Sequence, residues 1–168
     1  NYFIANSEYI AKRIKKVYNR DAAVIYPPVD VHKFSCEKNK ENYYVAASRF
    51  VPYKKMDIVI QAFTEMPDKK LIVIGDGPDA GKLKSTAGKN IELVGFLNSE
   101  KMKEIFQKAK ALVFAAEEDF GITVVEALAC GTPVIALDKG GTAETVIHGK
   151  NGIHFSHQAA GAVKDAVK

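Results

Sequence analysis

The chain of 168 residues carries 24 Lys and Arg against 20 Asp and Glu, which gives a formal net charge of +4 at pH 7. This length suffices for one domain with a substantial core, and a mild positive charge without a basic block argues against a dedicated nucleic-acid-binding protein. Two dispersed cysteines, Cys36 and Cys130, exclude a disulfide framework and favour a reducing cytosol, and the apolar runs are too short to span a bilayer.

The N-terminal part of the chain is predicted to form a strand, a helix and a connection. Residues 2–5 have the pattern of a short buried strand, and Asn6 or Ser7 is a suitable cap for the helix that follows. A second strand in residues 22–26 stops at a pair of prolines, and residues 29–34 continue as a rigid extended connection. Because the chain opens on a strand without an initiating methionine, we expect it to be part of a longer protein.

From residue 42 onward, short apolar strands alternate with helices. The predicted strands cover residues 43–47, 71–74, 91–94, 112–114 and 134–136. The predicted helices cover residues 56–65, 79–86, 99–108, a segment that begins at 122, 143–147 and 157–168. This alternation indicates parallel βαβ units with helices on both faces of a sheet. We therefore predict an α/β fold with a doubly wound, Rossmann-like parallel sheet.

The strand at 112–114 leads into an acidic loop and then into a helix that begins near Ile122. In an open parallel sheet, ligands lie beyond the carboxyl ends of the strands, where helix N-termini offer free backbone N–H groups. Gly121 at this turn lets an anion approach the main chain. Glu126 lies about one turn into the helix, so we expect its side chain to point back toward the loop, beside Glu118. A carboxylate that accepts both hydrogens of a vicinal diol can hold ribose or a sugar.

A second charged loop follows the strand at 43–47. It contains Arg49 and Lys54, and a guanidinium and an ammonium that converge on one point suit a diphosphate. The alternative is that both are solvated charges at the entrance to a helix. The sequence thus places a basic loop and an acidic loop after two strands of the predicted sheet.

Glycines mark further strand ends. Gly75 and Gly77 either allow close backbone approach to a ligand or serve a purely structural turn. The glycine pair at 140–141 either directs N–H groups at a phosphate or sugar oxygen or forms a turn. We expect Glu144 to cap its own helix rather than to touch a ligand. A helix cap at Ser99 is one of two explanations for the segment at 94–100.

Several of these segments occur in the order found in one enzyme family. The acidic loop resembles the Glu-x7-Glu motif of the retaining glycosyltransferases with the GT-B fold, family four (group 1), with Glu118 and Glu126 on its two glutamates. The basic loop resembles the family pattern of Gly-Arg-Leu, three residues and Lys-Gly, with Arg49 and Lys54 at the same spacing. Ser, Phe and Lys stand where that pattern has Gly, Leu and Gly, so the shape of the loop is expected to differ.

The resemblance implies that most of the chain is the C-terminal, donor-binding domain of such an enzyme. Catalysis would depend on Glu118, which holds hydroxyls of the donor sugar, and on Arg49 and Lys54, which hold the diphosphate. The implied substrate-binding residues are Glu126 at the nucleotide ribose, Phe120, Gly121 and Ile122 at the sugar and phosphates, and Gly75 and Gly77. Residues 94–97 resemble the family segment near the nucleotide base, with no side chain assigned to the base. We expect no metal and no other cofactor, because the cations and the helix end would stabilise the leaving diphosphate.

The resemblance also implies partners and a domain division. The segment Tyr-Pro-Pro-Val-Asp at 26–30 resembles the same segment in family members that transfer mannose, so the expected donor is GDP-mannose. The expected acceptor is a glycan or a lipid-linked molecule. Residues 1–22 would end the acceptor domain, 23–41 would form the interdomain linker, and 42–168 would bind the nucleotide sugar. With most of the acceptor domain outside the chain, we expect donor binding with little or no turnover. The expected location is cytoplasmic, and any peripheral contact with the inner face of the membrane would be made by the missing domain.

Two functions of other classes remain open. An NAD-dependent oxidoreductase domain would use Gly75, Gly77 and Gly81, but their last spacing is one residue longer than in Gly-x-Gly-x-x-Gly and a proline intervenes. A non-catalytic nucleotide-sugar-binding or scaffold domain would share the fold. Binding of NAD without binding of nucleoside diphosphates would favour the first, and a partner domain without acceptor chemistry would favour the second.

Overall fold

A six-stranded parallel sheet forms the centre of the structure, a computed structural model that describes residues 2–168. In chain order the strands are β1 (Phe3–Ala5), β2 (Ala22–Val24), β3 (Tyr43–Ala47), β4 (Lys70–Ile74), β5 (Ile91–Gly95), β6 (Leu112–Phe114), β7 (Val134–Leu137) and β8 (Gly152–Phe155). The helices are α1 (Glu8–Tyr18), α2 (Met56–Thr64), α3 (Ala80–Thr86), α4 (Ser99–Lys108), α5 (Ile122–Ala129), α6 (Thr142–Thr145) and α7 (Ala160–Val167). Single turns of 3₁₀ helix occur at Val31–Lys33 and Pro52–Lys54. The predicted α/β fold with a Rossmann-like parallel sheet is confirmed.

The order of the strands in this sheet reverses once. The sheet runs β5-β4-β3-β6-β7-β8, so the chain builds outward from β3 on one side and from β6 on the other. The pair Val45 and Leu112 joins β3 to β6. Connections that leave two neighbouring strands in opposite directions open a crevice at the carboxyl ends of those strands. The loops that follow Ala47 and Phe114 therefore lie where a ligand is expected.

Both faces of the sheet are buried under helices. One core cluster combines strand residues such as Val73 with α2, α3 and α7, and the other combines residues such as Leu112 with α4 and α5. Phe63 on α2 and Phe106 on α4 are fully buried, one in each cluster. Burial on both faces explains why these strands appear in the sequence as continuous apolar runs.

The edge strand β8 was not among the predicted elements. It pairs with β7 from Val134 with Gly152 to Leu137 with Phe155. Phe155 is buried, whereas Ile153 is 42% exposed. A four-residue strand with one buried side chain and a glycine carries too weak an apolar pattern to be recognised. Helix α7 also begins three residues later than predicted, at Ala160.

Two local predictions near element ends are wrong. Asn98, not Ser99, caps α4, because its extended backbone lets Oδ1 accept the N–H of Lys101 at 3.0 Å while Ser99 is already helical. The connection predicted to be extended contains the 3₁₀ turn Val31–Lys33. The prolines before it fix only their own φ and restrain the preceding residue, so they do not keep the following residues extended.

Residues 2–26, here called the N-terminal unit, form a separate βαβ element. Strands β1 and β2 pair in parallel, and α1 connects them. Ser7 caps α1 by accepting the N–H of Ile10 at 3.1 Å. α1 has 11 residues, and no helix within residues 2–168 has the length and apolar character needed to cross a membrane.

Glu144 fastens the N-terminal unit to the rest of the structure. Its carboxylate accepts the backbone N–H groups of Glu8 at 3.0 Å and Tyr9 at 2.7 Å, and the hydroxyl of Tyr26 at 3.1 Å. The prediction that Glu144 caps its own helix is wrong. Its carboxylate instead meets the free N–H groups and the positive dipole end of α1, more than a hundred residues away in sequence.

Replacing Glu144 with alanine should loosen the N-terminal unit. The change leaves two N–H groups of α1 and one tyrosine hydroxyl without their partner, so we expect the free energy of opening α1 to fall by about 1–3 kcal/mol. Hydrogen exchange followed by mass spectrometry should then speed up roughly 5- to 150-fold in α1 and stay unchanged in α2. The matched control is Glu104→Ala, at an exposed glutamate on α4. Equal exchange in the two variants would contradict this role of Glu144.

Candidate functional site

Two adjoining cavities open beyond the carboxyl ends of β3 and β6. The polar cavity has a volume of about 520 Å³ and is lined by Asn6, Pro27, Ala47, Ser48, Arg49, Tyr53, Lys54, Phe114, Glu118, Asp119, Phe120, Gly121, Ile122 and Thr123. The apolar cavity has a volume of about 410 Å³ and is lined by Ala47, Ser48, Arg49, Ile74, Gly75, Asp76, Phe96, Leu97, Met102 and Thr123. Because four residues, including Arg49, line both cavities, one ligand can occupy both. A larger open cleft of about 820 Å³ lies beside α1, on the other side of the loops that follow these two strands, and shares Tyr53 with the polar cavity.

Gly75 and Gly77 hold the basic loop against the end of β4. The N–H of Phe50 donates to the carbonyl of Asp76 at 2.8 Å, which brings the two loops into direct backbone contact. A Cβ atom on Gly75 would lie 1.8 Å from the carbonyl oxygen of Ser48, and one on Gly77 would lie 2.5 Å from that of Phe50. This close packing explains why both positions are glycine. It corresponds to the purely structural turn, not to the approach of a ligand. Gly75 also lines the apolar cavity, whereas Gly77 lines neither cavity.

The two predicted cations of the basic loop have different surroundings. Lys54 forms an ion pair with the carboxylate of Glu118, and only 17% and 20% of these side chains are exposed. The Arg49 side chain is exposed and makes no hydrogen bond or ion pair within residues 2–168. Lys55, where the family pattern has glycine, adopts the left-handed region with φ 55°. The loop thus keeps the turn of a glycine at that position despite the substitution.

The acidic loop is held from several directions. Glu117 pairs with Lys139 at 3.0 Å, and Asp119 pairs with Arg13 at 3.6 Å. The N–H of Gly141 donates to the carbonyl of Glu118 at 2.7 Å, and a Cβ atom on Gly141 would lie 2.1 Å from the carbonyl oxygen of Asp119. The glycine pair at 140–141 therefore supports the acidic loop. This geometry corresponds to the turn alternative, because the Gly141 N–H already has a protein partner.

Tyr9 of the N-terminal unit also contacts the acidic loop. Its hydroxyl donates a hydrogen bond to the carboxylate of Glu117. This hydrogen bond, together with Lys139, lowers the pKa of Glu117, and the same bond raises the pKa of Tyr9. Glu117 therefore stays ionised, and its charge ties the N-terminal unit to the loop that carries Glu118.

The N-terminus of α5 faces the polar cavity. Gly121 precedes the helix with φ +84°, and no side chain caps the first backbone N–H groups. Phe120, Gly121 and Ile122 all line the polar cavity, as do Lys54 and Glu118. The positive end of the helix and its free N–H groups make this wall suitable for an anion.

Glu126 lies in different surroundings from Glu118. Its side chain is half-buried on α5, lines neither cavity, and makes no hydrogen bond or ion pair within residues 2–168. Burial raises the pKa of its carboxyl group. Thr123, about one turn earlier on the helix, lines both cavities. The structure thus brings Glu118, but not Glu126, into the lining of the polar cavity.

Sequence reasoning missed the apolar side chains of the site. Phe96 follows β5, is 80% exposed and lines the apolar cavity with Leu97 and Met102. Residues 94–97 resemble the family segment near the nucleotide base, but the sequence does not indicate whether an aromatic side chain after a strand is buried or exposed. Asn6 of the N-terminal unit also lines the polar cavity. Within residues 2–168, no group of three or more His, Cys, Asp or Glu side chains is placed to hold a metal ion.

Comparison with known sequences points to one family. The sequence profile described as "Glycosyl transferases group 1" matches residues 30–168. An uncharacterized glycosyltransferase of Methanocaldococcus jannaschii is 34% identical over 89% of this chain and 44% of its own length. A GDP-mannose-dependent phosphatidylinositol monomannoside mannosyltransferase of Mycolicibacterium smegmatis is 31% identical, over 96% and 50%. The N-acetyl-alpha-D-glucosaminyl L-malate synthase of Bacillus anthracis is 30% identical, over 84% and 40%. The chain therefore spans about half or less of the length of these relatives.

Superposition on solved structures finds proteins with a similar fold. The Anabaena HepE protein, crystallised in complex with UDP and glucose, superposes with a TM-score of 0.85 at 22% identity, over 98% of this chain and 51% of its own. A sucrose-phosphate synthase from Thermosynechococcus elongatus gives a TM-score of 0.85 at 22% identity, over 98% and 47%. At this level of identity the likeness concerns the fold.

Replacing Glu126 with glutamine should not destabilise the fold at neutral pH. The raised pKa of Glu126 means that the folded protein holds this proton to a higher pH than the unfolded chain. Its ionised form therefore costs stability above that pKa, and the cost disappears as both states become protonated. We expect the thermal unfolding midpoint of Glu126→Gln to equal or exceed that of the unaltered chain at neutral pH, and the two to converge below about pH 4. The control is Glu100→Gln, at an exposed residue of α4, and a lower midpoint for Glu126→Gln at neutral pH would contradict the expectation.

Proposed function

The chain belongs to the glycosyl transferases group 1 family, and we propose that it binds the nucleotide-sugar donor of a retaining glycosyltransferase. One observation carries this proposal: an apolar cavity and a polar cavity adjoin at Arg49, at the point where the strand order reverses. A nucleotide sugar has the same division, with a flat base at one end, a charged diphosphate in the middle and a polyol at the other end.

The proposed placement matches each part of the donor to its surroundings. The base lies in the apolar cavity against Phe96, since an exposed aromatic ring offers a stacking surface for any base. The diphosphate lies between Arg49 and the N-terminus of α5, where an unpaired guanidinium and free N–H groups face the same space. The sugar then enters the polar cavity near Glu118 and Lys54.

Glu126 is proposed to hold the nucleotide ribose. Its carboxylate has no protein partner within residues 2–168 and lies about one helical turn behind Thr123, where the two cavities meet. An unpartnered carboxylate can accept both hydroxyls of a ribose diol. Its raised pKa indicates that the ionised group lacks compensation in the unliganded fold, which the diol would supply.

The proposed reaction transfers the sugar to an acceptor hydroxyl with retention of configuration at the anomeric carbon. Negative charge grows on the diphosphate as the bond to the sugar breaks, and groups placed in advance at that position stabilise it. Arg49, Lys54 and the start of α5 are proposed for this role. Glu118 is proposed to bind sugar hydroxyls while it orients Lys54 through their ion pair.

GDP-mannose is the donor we propose. The support is the segment at 26–30 and the relative named as a GDP-mannose-dependent mannosyltransferase. Another relative is named for N-acetylglucosaminyl transfer, so the family itself does not decide the sugar. The NAD-dependent alternative is not favoured, because close packing against the basic loop already accounts for Gly75 and Gly77.

The acceptor is proposed to be a glycan or a lipid-linked molecule. Because the chain covers about half or less of its relatives' length, we propose that an acceptor domain outside residues 1–168 completes the enzyme. Residues 1–22 would belong to that domain, 23–41 would link it to the domain at 42–168, and these 168 residues alone would bind donor with little turnover. We propose a cytoplasmic location, with peripheral membrane contact through the acceptor domain.

Titration calorimetry with GDP, UDP and ADP tests the proposed site. We expect GDP to bind most tightly, and both Arg49→Ala and Phe96→Ala to weaken binding roughly tenfold or more, since a charged hydrogen bond or a stacked base contributes about 1–3 kcal/mol. Glu126→Ala should also weaken binding through loss of the ribose contact. Ile153→Ala, at an exposed residue of the edge strand β8, should bind like the unaltered chain. Tighter binding of UDP would keep the site and overturn GDP-mannose, and a failure of all three nucleotides to bind would overturn the proposed function.

A further inference from the structure

Asn6 carries polar atoms that nothing in the fold uses. It lies between β1 and α1 on the N-terminal unit, and it lines the polar cavity together with Lys54 and Glu118. Its Oδ1 atom is buried without a hydrogen-bond partner. Its Nδ2 atom makes no hydrogen bond within residues 2–168 either. Since nearly all buried side-chain polar atoms in proteins have a partner, this exception needs an explanation.

Helix capping does not explain the residue. Ser7 caps α1 through its own hydroxyl, which accepts the N–H of Ile10 at 3.1 Å. Two further N–H groups of the first turn, those of Glu8 and Tyr9, donate to Glu144. The amide of Asn6 is therefore not needed to start the helix, and a buried acceptor without a partner lowers the stability of the fold.

The position of Asn6 is nevertheless well defined. Glu144 holds the start of α1 through two hydrogen bonds, and Tyr9 binds Glu117 in the acidic loop. Both contacts lie within three residues of Asn6 along the chain. Asn6 thus lines the polar cavity from a segment that is fixed both to α6 and to the loop that carries Glu118.

We propose that Asn6 binds hydroxyl groups of the sugar that the donor carries. This inference rests on the proposed function. It adds a residue of the N-terminal unit, which is not part of the six-stranded sheet, to the groups that bind the sugar. The Nδ2 group of its carboxamide offers two donor hydrogens, which the oxygen of a sugar hydroxyl can accept.

The charges of the cavity favour a neutral ligand group at Asn6. Lys54 and Glu118 already neutralise each other, whereas Arg49 and the start of α5 supply the free positive charge. A diphosphate therefore has a better position near Arg49 than near Asn6. An uncharged polyol is the part of the donor that an uncharged amide can bind without competition from these groups.

Comparing a nucleotide with its sugar conjugate isolates this contact. We would titrate the chain with GDP and GDP-mannose, and with UDP and UDP-glucose, on the unaltered protein and on Asn6→Ala. Affinity for each nucleoside diphosphate should stay within about twofold, while affinity for the nucleotide sugar that binds should fall by about 3- to 10-fold, as expected for a lost neutral hydrogen bond. The unfolding temperature of Asn6→Ala should equal or exceed that of the unaltered protein, because the change removes an unpartnered buried group. Asn42→Ala, at an exposed asparagine, is the matched control.

The possible outcomes separate this inference from the proposed function. Equal loss of affinity for the nucleotide and its sugar conjugate, or no loss for either, would overturn the sugar contact while the nucleotide site stands. A lower unfolding temperature without selective loss would show that Asn6 is structural. A nucleotide sugar that binds the unaltered protein no more tightly than the nucleotide would also overturn the inference. Failure of every nucleotide to bind the unaltered protein would overturn the proposed function itself.

Discussion

The reversal of strand order between β3 and β6 is the constraint on which the rest of the site depends. Because the connections leave these neighbouring strands in opposite directions, the loops after them open side by side at the carboxyl ends of the strands. Close backbone contacts at glycines then fix both loops, through Gly75 and Gly77 on one side and Gly141 on the other. The pairing of Lys54 with Glu118 follows from this arrangement, although the two residues are 64 positions apart in sequence.

The sequence predicted those parts of the fold whose physical cause is local. Strands β3, β4, β6 and β7 are buried on both faces, so their apolar runs are nearly continuous, and the helices between the strands show the matching periodicity. β8 escaped prediction because only Phe155 carries its burial signal. The contact of Glu144 with the N-terminus of α1 was not predicted for a different reason. Nothing near Glu144 in sequence indicates that this helix end lies beside it. Contacts between distant segments leave no periodic trace.

For the candidate site, the sequence predicted which charges are present but not how they are paired. The types and spacing of Arg49 and Lys54 indicated a basic loop, and the structure adds that one is paired and the other is not. The two glutamates expected to lie side by side at the loop have different surroundings, since Glu118 lines the polar cavity and Glu126 does not. Phe96 was missed because exposure of an aromatic ring depends on the whole fold.

The difference between the two cations bears on how an anionic ligand would enter. Arg49 is exposed and unpaired within residues 2–168, so a diphosphate can bind it without breaking a protein contact. Lys54 is largely buried against Glu118, so a diphosphate must share that cation with a carboxylate. Removing Lys54 would leave the negative charge of Glu118 without its partner beside the incoming anion. Removing Arg49 would only remove the attraction between its guanidinium and the diphosphate. In the proposed function, Arg49 and Lys54 therefore have unequal parts: Arg49 would capture the diphosphate, and Lys54 would couple the captured anion to Glu118, the carboxylate proposed to face the sugar.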